Sequence, residues 1–257
     1  MGLNDLFHLD NKTAIVTGGG RGLGAQMANA LGDAGANVVV CSRDLSACER
    51  VSSQLSARGI KSLAIRCDVT NEEDIQRVIR KTLDTFGSID ILINNSGTSW
   101  IAPVLELPAD KWDKVMNVNL KGMFLFSQAA AKVMQKQGNG KIINISSVTG
   151  MRGTHSALLD AVAYSTSKGA VISLTKDLAV KLAASGIQVN AIAPGFFPTK
   201  ITKALEKSSS AILQNIPAGR FGNEDDLKGA AVFLSSKASD YITGQVLIVD
   251  GGMTVSL

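Results

Sequence analysis

The segment Thr17-Gly18-Gly19-Gly20-Arg21-Gly22-Leu23-Gly24 follows an apolar run, Thr13–Thr17, and opens an amphipathic stretch, 22–33. This junction constrains the fold more than any other feature. Five glycines in seven residues permit a sharp turn and a close backbone approach that side chains would block. The same passage from a short β-branched run to a longer helical pattern recurs to the end of the chain. Strands are predicted at 13–17, 38–41, 62–67, 89–93, 141–145, 188–192 and 245–249, as near-continuous apolar runs suited to burial on both faces. Helices are predicted at 22–33, 45–58, 72–86, 111–137, 161–184 and 224–235, and Gly35, Gly59, Gly87, Gly138 and Gly186 follow the first five as C-caps.

Strict alternation of this kind implies an α/β fold: one doubly wound Rossmann domain over residues 1–257, with a seven-stranded parallel sheet in the order 3-2-1-4-5-6-7. Ligands of such sheets bind beyond the carboxyl ends of the strands. The two long irregular segments, 151–160 and 194–217, leave that edge, and a substrate lid is expected around 195–217. A glycine turn between the first strand and the first helix suits a pyrophosphate, whose charge sits against the helix N-terminus.

The remaining bulk properties mainly exclude. With 26 basic and 22 acidic residues the net charge is +4, and the basic residues form no run, which argues against nucleic acid as a partner. Cys41, Cys48 and Cys67 are odd in number and lack metal-ligand spacing, so no metal site is expected and a reducing, cytoplasmic setting is. Residues 1–10 lack a basic stretch followed by an apolar core, and no apolar run is long enough to span a membrane.

Further motifs stand in order along the chain: Asp68-Val69 after the third strand, Asn94-Asn95-Ser96-Gly97 after the fourth, Asn119, Ser147, Tyr164-x3-Lys168, and Pro194-Gly195. With the glycine turn, they make the chain resemble a classical short-chain dehydrogenase/reductase from Thr13 to Gly252. The resemblance implies hydride transfer between a nicotinamide cofactor and a carbonyl or alcohol. It implies that Asp68 and Val69 hold the adenine, that Asn94 to Gly97 line its ribose, and that Thr199 grips the carboxamide. Gly18, Gly20, Arg21, Gly22, Leu23 and Gly24 are the expected phosphate cradle, with Pro194, Gly195 and Phe197 beside the nicotinamide. Gly20 stands where the family commonly has Ser, and Ser96 where it commonly has Ala.

Tyr164 and Lys168 are four apart in a helical pattern and so share a face. A nearby cation favours the phenolate, and Lys168 is expected to supply it. In the family Lys168 also bonds the nicotinamide ribose, Ser147 bonds the substrate oxygen, and Asn119 holds a water of the proton relay. Sixteen residues separate Ser147 from Tyr164, more than the common pattern, and His155 lies in the extra loop.

The cofactor choice is read at the end of the second strand. Ser42-Arg43 stands where an acid would select NADH, and a guanidinium suits a 2′-phosphate, so NADPH is expected, with Arg21 as a second contact. Asp44 is read as a helix cap. The substrate pocket is expected from Ser99–Pro103, the 151–163 loop and Phe196-Phe197-Pro198, with Trp100 as a wall. The pattern resembles 3-oxoacyl reductases and gluconate 5-dehydrogenases equally. The absence of Arg before the fifth and sixth strands disfavours a carrier protein as substrate bearer. A catalytically silent cofactor sensor is the rival of another class, and four intact catalytic positions weigh against it. The resemblance further implies a homotetramer built on helices 111–137 and 161–184.

Overall fold

The computed structural model describes residues 2–156, 159–198 and 209–256, with backbone alone at 209–211. The alternating pattern folds into β1 (Thr13–Thr17), α1 (Gly22–Asp33), β2 (Asn37–Ser42), α2 (Leu45–Ser56), β3 (Ser62–Arg66), α3 (Glu72–Phe86), β4 (Ile91–Asn94), α4 (Ala109–Met116), α5 (Gly122–Gln137), β5 (Gly140–Ile145), α6 (Val162–Leu182), β6 (Ile187–Pro194), α7 (Ser209–Gln214), α8 (Lys228–Ser235) and β7 (Val246–Val249). The seven strands form one parallel sheet in the order β3-β2-β1-β4-β5-β6-β7, as expected.

Successive residues of each strand serve opposite layers. Ala14 and Val16 of β1 pack with Met27, Leu31, Val51, Leu55, Ala231 and Leu234 of α1, α2 and α8. Ile15, between them, packs in the other layer with Ile75, Val78, Phe126, Met134 and Ala179 of α3, α5 and α6. Both faces are therefore covered, which is why the strands read as unbroken apolar runs. Side-chain caps fix two helix starts: Asp44 accepts from Ala47 N at 3.1 Å and Asn71 from Asp74 N at 3.1 Å. Gly138 ends α5 with a left-handed φ of 73°.

Three expectations need correction. The helix expected over 111–137 is two helices joined by a π turn, Asn117–Lys121. A π turn releases a carbonyl from the helical ladder, a feature with no sequence periodicity of its own. The last helix begins at Lys228 rather than Glu224, because side chains hold 220–226 as a turn. Arg220 grips Asp226 at 2.6 and 2.9 Å, and Asp226 also accepts from Asn223 N at 2.7 Å. The apolar surplus on α5 and α6 is smaller than expected, since Met123, Phe126 and Val171 are consumed by the chain's own core. Phe124 on α5, Val180 on α6 and Tyr241 before β7 remain exposed. Among the described residues no helix is long and apolar enough to cross a membrane.

Candidate active site

A cleft of about 860 Å³ opens at the carboxyl edge of the sheet. One end is lined by Gly18, Gly20, Arg21, Gly22, Leu23, Gly24, Ser42, Arg43, Asp68 and Val69; the other by Ser147, Tyr164, Lys168, Pro194, Gly195 and Phe197. Ser96 and Gly97 lie between. Residues scattered over the sequence are thus gathered along one groove, because parallel strands deliver all their outgoing loops to one edge. Thr199 lies outside the described residues, as do 200–208 of the expected lid.

The glycine turn is built by close approach. A Cβ on Gly24 would meet Gly18 O at 2.3 Å, and one on Gly20 would meet the Ala47 Cβ at 2.9 Å. Position 20 is therefore closed to serine by α2, and no hydroxyl is available there. Arg21 is the N-cap of α1 and offers no side-chain cap, so the first amides of α1 are left for an anion. Thr17 ties this turn to the next: its hydroxyl accepts from Asn95 N and Ser96 N, both at 3.0 Å.

Neither Arg21 nor Arg43 lies within an ion pair among the described residues, and both are exposed at the cleft. Two uncommitted guanidiniums fit a phosphate at this end. Asp44 also reaches the cleft wall, but its carboxylate is engaged. Bonds from Ser46 and Ala47 hold it below the usual carboxylate range. The Ser42 hydroxyl turns inward, donating to Asp44 O at 3.0 Å with Cys48 Sγ at 3.1 Å. It braces the turn, and the phosphate reading of this position falls to Arg43.

At the other end, Ser147 follows β5 and is buried. Its oxygen accepts from Thr149 N at 3.3 Å and from Thr149 Oγ1 at 3.1 Å. With both lone pairs taken, only its proton is left to offer, and its bond with Tyr164 pulls that phenol down. Lys168, one turn beyond Tyr164, is 3% exposed and donates to Ile145 O at 2.7 Å. Its Nζ stands 5.5 Å from the centre of the Tyr164 ring. Burial raises the Tyr164 phenol above its ordinary value, against the pull of the Ser147 bond. Burial also lowers Lys168 to about 8. Desolvation thus favours the neutral form of both groups.

Asn119 is held as its expected role allows, whereas Asn94 departs from its own. The Asn119 side chain accepts from Thr98 N at 2.8 Å and donates to Thr98 O and Ser167 Oγ at 2.9 Å, which uses both N–H donors and leaves one lone pair of Oδ1. That lone pair and the backbone of its π turn can hold a water. The Asn94 side chain does not face the cleft. It is buried at the sheet centre, donating to Ser127 Oγ at 2.8 Å and Asn144 Oδ1 at 2.9 Å. Asn95, beside it, does reach the cleft wall.

The expected substrate walls are also redistributed. Phe196, Phe197 and Pro198 line the cleft, joined by Ile212 and Phe221. Ser99–Pro103 do not; Trp100 lies under Lys111 Nζ, 4.9 Å from its ring centre, and Ala102 N donates to Asp160 O at 3.0 Å. Thr149 is the contact that motif reasoning missed. Its signal is only a hydroxyl two residues after the serine, a common helix-start pattern.

The family model described as enoyl-(acyl carrier protein) reductase matches residues 18–254. The chain is 40% identical over 256 residues to gluconate 5-dehydrogenase of Gluconobacter oxydans, covering 98% of each chain. It is 39% identical to a 3-oxoacyl-[acyl-carrier-protein] reductase of Synechocystis, covering 96% of this chain and 98% of that one. Its structure superposes, with a TM-score of 0.94, on a gluconate 5-dehydrogenase from Burkholderia cenocepacia in complex with NADP and tartrate. That protein is 38% identical, and the match covers 100% of both chains.

Proposed function

The chain belongs to the short-chain dehydrogenase/reductase family, and from that premise we propose that it is an NADPH-dependent oxidoreductase reducing a ketone to a secondary alcohol. The observation that carries this reading is one cleft with a Ser147–Tyr164 pair and buried Lys168 at one end and two uncommitted guanidiniums at the other. The NADP bound by the Burkholderia relative supports the cofactor. The nicotinamide, when bound, supplies the hydride to the carbonyl carbon. Tyr164 gives its phenol proton to the carbonyl oxygen, completing the alcohol, and its raised pKa keeps that proton in place at neutral pH. Ser147 swings its proton from Tyr164 to the substrate oxygen as negative charge grows there. Lys168 holds the nicotinamide ribose, and the backbone of the Asn117–Lys121 π turn holds the water through which Tyr164 is reprotonated. Asp68 and Val69 hold the adenine, and Arg43 with Arg21 the 2′-phosphate.

The chain works as one domain with a lid around 195–217, in the cytoplasm, as a homotetramer. Three free, buried cysteines support the reducing compartment, and exposed Phe124, Val180 and Tyr241 support the assembly. A second substrate reading, a sugar-acid dehydrogenase, is favoured by the Gluconobacter and Burkholderia relatives. The test is oxidation of NADPH, with NADH in parallel, against 5-ketogluconate, a 3-oxoacyl thioester and simple ketones. Turnover with NADPH supports the enzyme reading, and the preferred carbonyl chooses between substrates. Binding of NADPH without turnover of any of them would favour a sensor, and a preference for NADH would overturn the cofactor assignment.

A further inference from the structure

The turn between β3 and α3 carries Asp68 and Val69 into the cleft wall. Asp68 Oδ1 is occupied by Thr70, through its N–H at 3.0 Å and its hydroxyl at 2.8 Å. Asp68 Oδ2 has no hydrogen bond among the described residues, which leaves one oxygen for an amino donor such as that of adenine. The aim of that oxygen depends on the backbone at Asp68, and that backbone is held from an unusual direction. Asp74 is the third residue of α3. An acid there ordinarily reaches back to the N–H of the capping residue. Here the capping residue is Asn71, whose N–H already donates to Asp68 O at 3.0 Å. Asp74 instead reaches three residues further, and its Oδ2 accepts from Asp68 N at 2.8 Å. Its other oxygen meets Arg77 at 2.7 Å, and Arg77 in turn donates to Arg66 O, at the end of β3, at 2.8 Å. Asp74 is only 16% exposed, unlike an ordinary surface pair. On the opposite flank Gly122 of α5 lies flat on the turn, since a Cβ there would meet Val69 O at 2.8 Å.

We infer that Asp74, braced by Arg77, is a positioning residue for the adenine subsite: it fixes the Asp68 backbone so that the free carboxylate oxygen is presented to the base. This rests on the NADPH reading above. Asp74 touches no part of the cleft itself, so it acts through Asp68. The bond from Asp68 N holds the Asp74 carboxyl below the usual range, so the brace persists through the whole neutral range of pH. The consequence is selective. Losing the brace weakens the adenosine half of the cofactor and leaves the nicotinamide half alone, because Ser147, Tyr164 and Lys168 are held by β5 and α6.

The test measures binding of NADPH, adenosine 2′,5′-bisphosphate and reduced nicotinamide mononucleotide to the full-length protein, by calorimetry, with kcat and KM for NADPH. Asp74→Ala removes the acceptor; Asp74→Asn keeps an oxygen for the Asp68 N–H while losing the ion pair. Asp74→Ala is expected to weaken NADPH and adenosine 2′,5′-bisphosphate about tenfold, the cost of one charge-assisted bond. The mononucleotide and kcat should stay within about twofold, and Asp74→Asn should recover most of the loss. Equal weakening of both halves, or an unchanged bisphosphate affinity, overturns the inference. So does a loss in Asp74→Asn as large as that in Asp74→Ala. If Asp74→Ala does not fold, Asp74→Asn and Arg77→Ala decide. Arg77→Ala must weaken the bisphosphate more than the mononucleotide. Failure of the wild-type protein to bind NADPH at all counts against the parent reading instead.

Discussion

Thr149 donates two hydrogen bonds to the Ser147 oxygen, one from its backbone N–H at 3.3 Å and one from its hydroxyl at 3.1 Å. A serine oxygen has two lone pairs and one proton, so these bonds leave Ser147 only its proton to offer. The serine is thereby set as a donor before a substrate arrives. Donors fixed in advance are what stabilise developing charge without reorganisation. Thr149→Val removes one of the two bonds while keeping the shape. It should lower kcat by about three- to tenfold, the worth of one neutral hydrogen bond, with NADPH affinity unchanged. Steady-state kinetics with a cofactor titration would check this, and an unchanged kcat would deny Thr149 the role.

Tyr164→Phe keeps the ring and deletes the acid. Turnover should fall by at least about a hundredfold, the lower end of general-acid contributions, with cofactor binding retained. A folded Tyr164→Phe protein with near-normal turnover would refute the assignment.

Lys168 gives a pH dependence in both activity and stability. Its pKa in the folded protein is about 8 against 10.5 unperturbed. Reduction should therefore decline as pH rises through about 8, when the ammonium that grips the ribose is lost. For stability the unfolded chain binds the extra proton between those two values, so this group makes folding more favourable as pH rises from about 8 to 10.5. Below pH 8 the buried charge costs its full amount. Lys168→Met should accordingly lose activity, and its melting temperature relative to wild type should fall steadily across that window. A constant difference in melting temperature from pH 7 to 10 would show that the lysine is not desolvated as described.

Arg43→Ala should weaken NADPH by about tenfold or more, the value of a charge-assisted contact, and leave NADH nearly unchanged. Because the Ser42 hydroxyl is engaged with Asp44 O, Ser42→Ala should have a smaller effect on NADPH than Arg43→Ala. Dissociation constants for both cofactors would settle the order, and the reverse order would return the phosphate contact to Ser42.

The assembly is testable in solution. Phe124 and Val180 expose apolar surface on α5 and α6, and Tyr241 does so beside the edge strand β7. Light scattering should report a tetramer at micromolar concentration, with activity lost on dilution. A fully active monomer would sink the proposal.

Most of the sheet was legible because a strand buried on both faces is apolar at most positions. Strand ends shifted by a residue or two, as pairing at β6 continues to Pro194 opposite Val249. The π turn at Asn117–Lys121 was not legible. It follows from contacts made by residues distant in sequence: Gly122 against Val69, and Asn119 against Thr98 and Ser167. Asn94 misled for the opposite reason. Its motif marks the turn correctly, but alternation along β4 sends its side chain into the buried layer beside Ser127 and Asn144.

The sequence by itself determined the order of strands, the glycine turn and the gathering of the motif residues at one edge, because periodicity and backbone freedom are local properties written residue by residue. Only the tertiary structure decided which atoms remain uncommitted there. The Ser42 hydroxyl proton and both Asn119 N–H donors are spent on neighbours, while Arg43 and one oxygen of Asp68 are free. The shifts of Tyr164 upward and Lys168 downward likewise come from burial, which depends on everything packed around a group and on no residue pair alone.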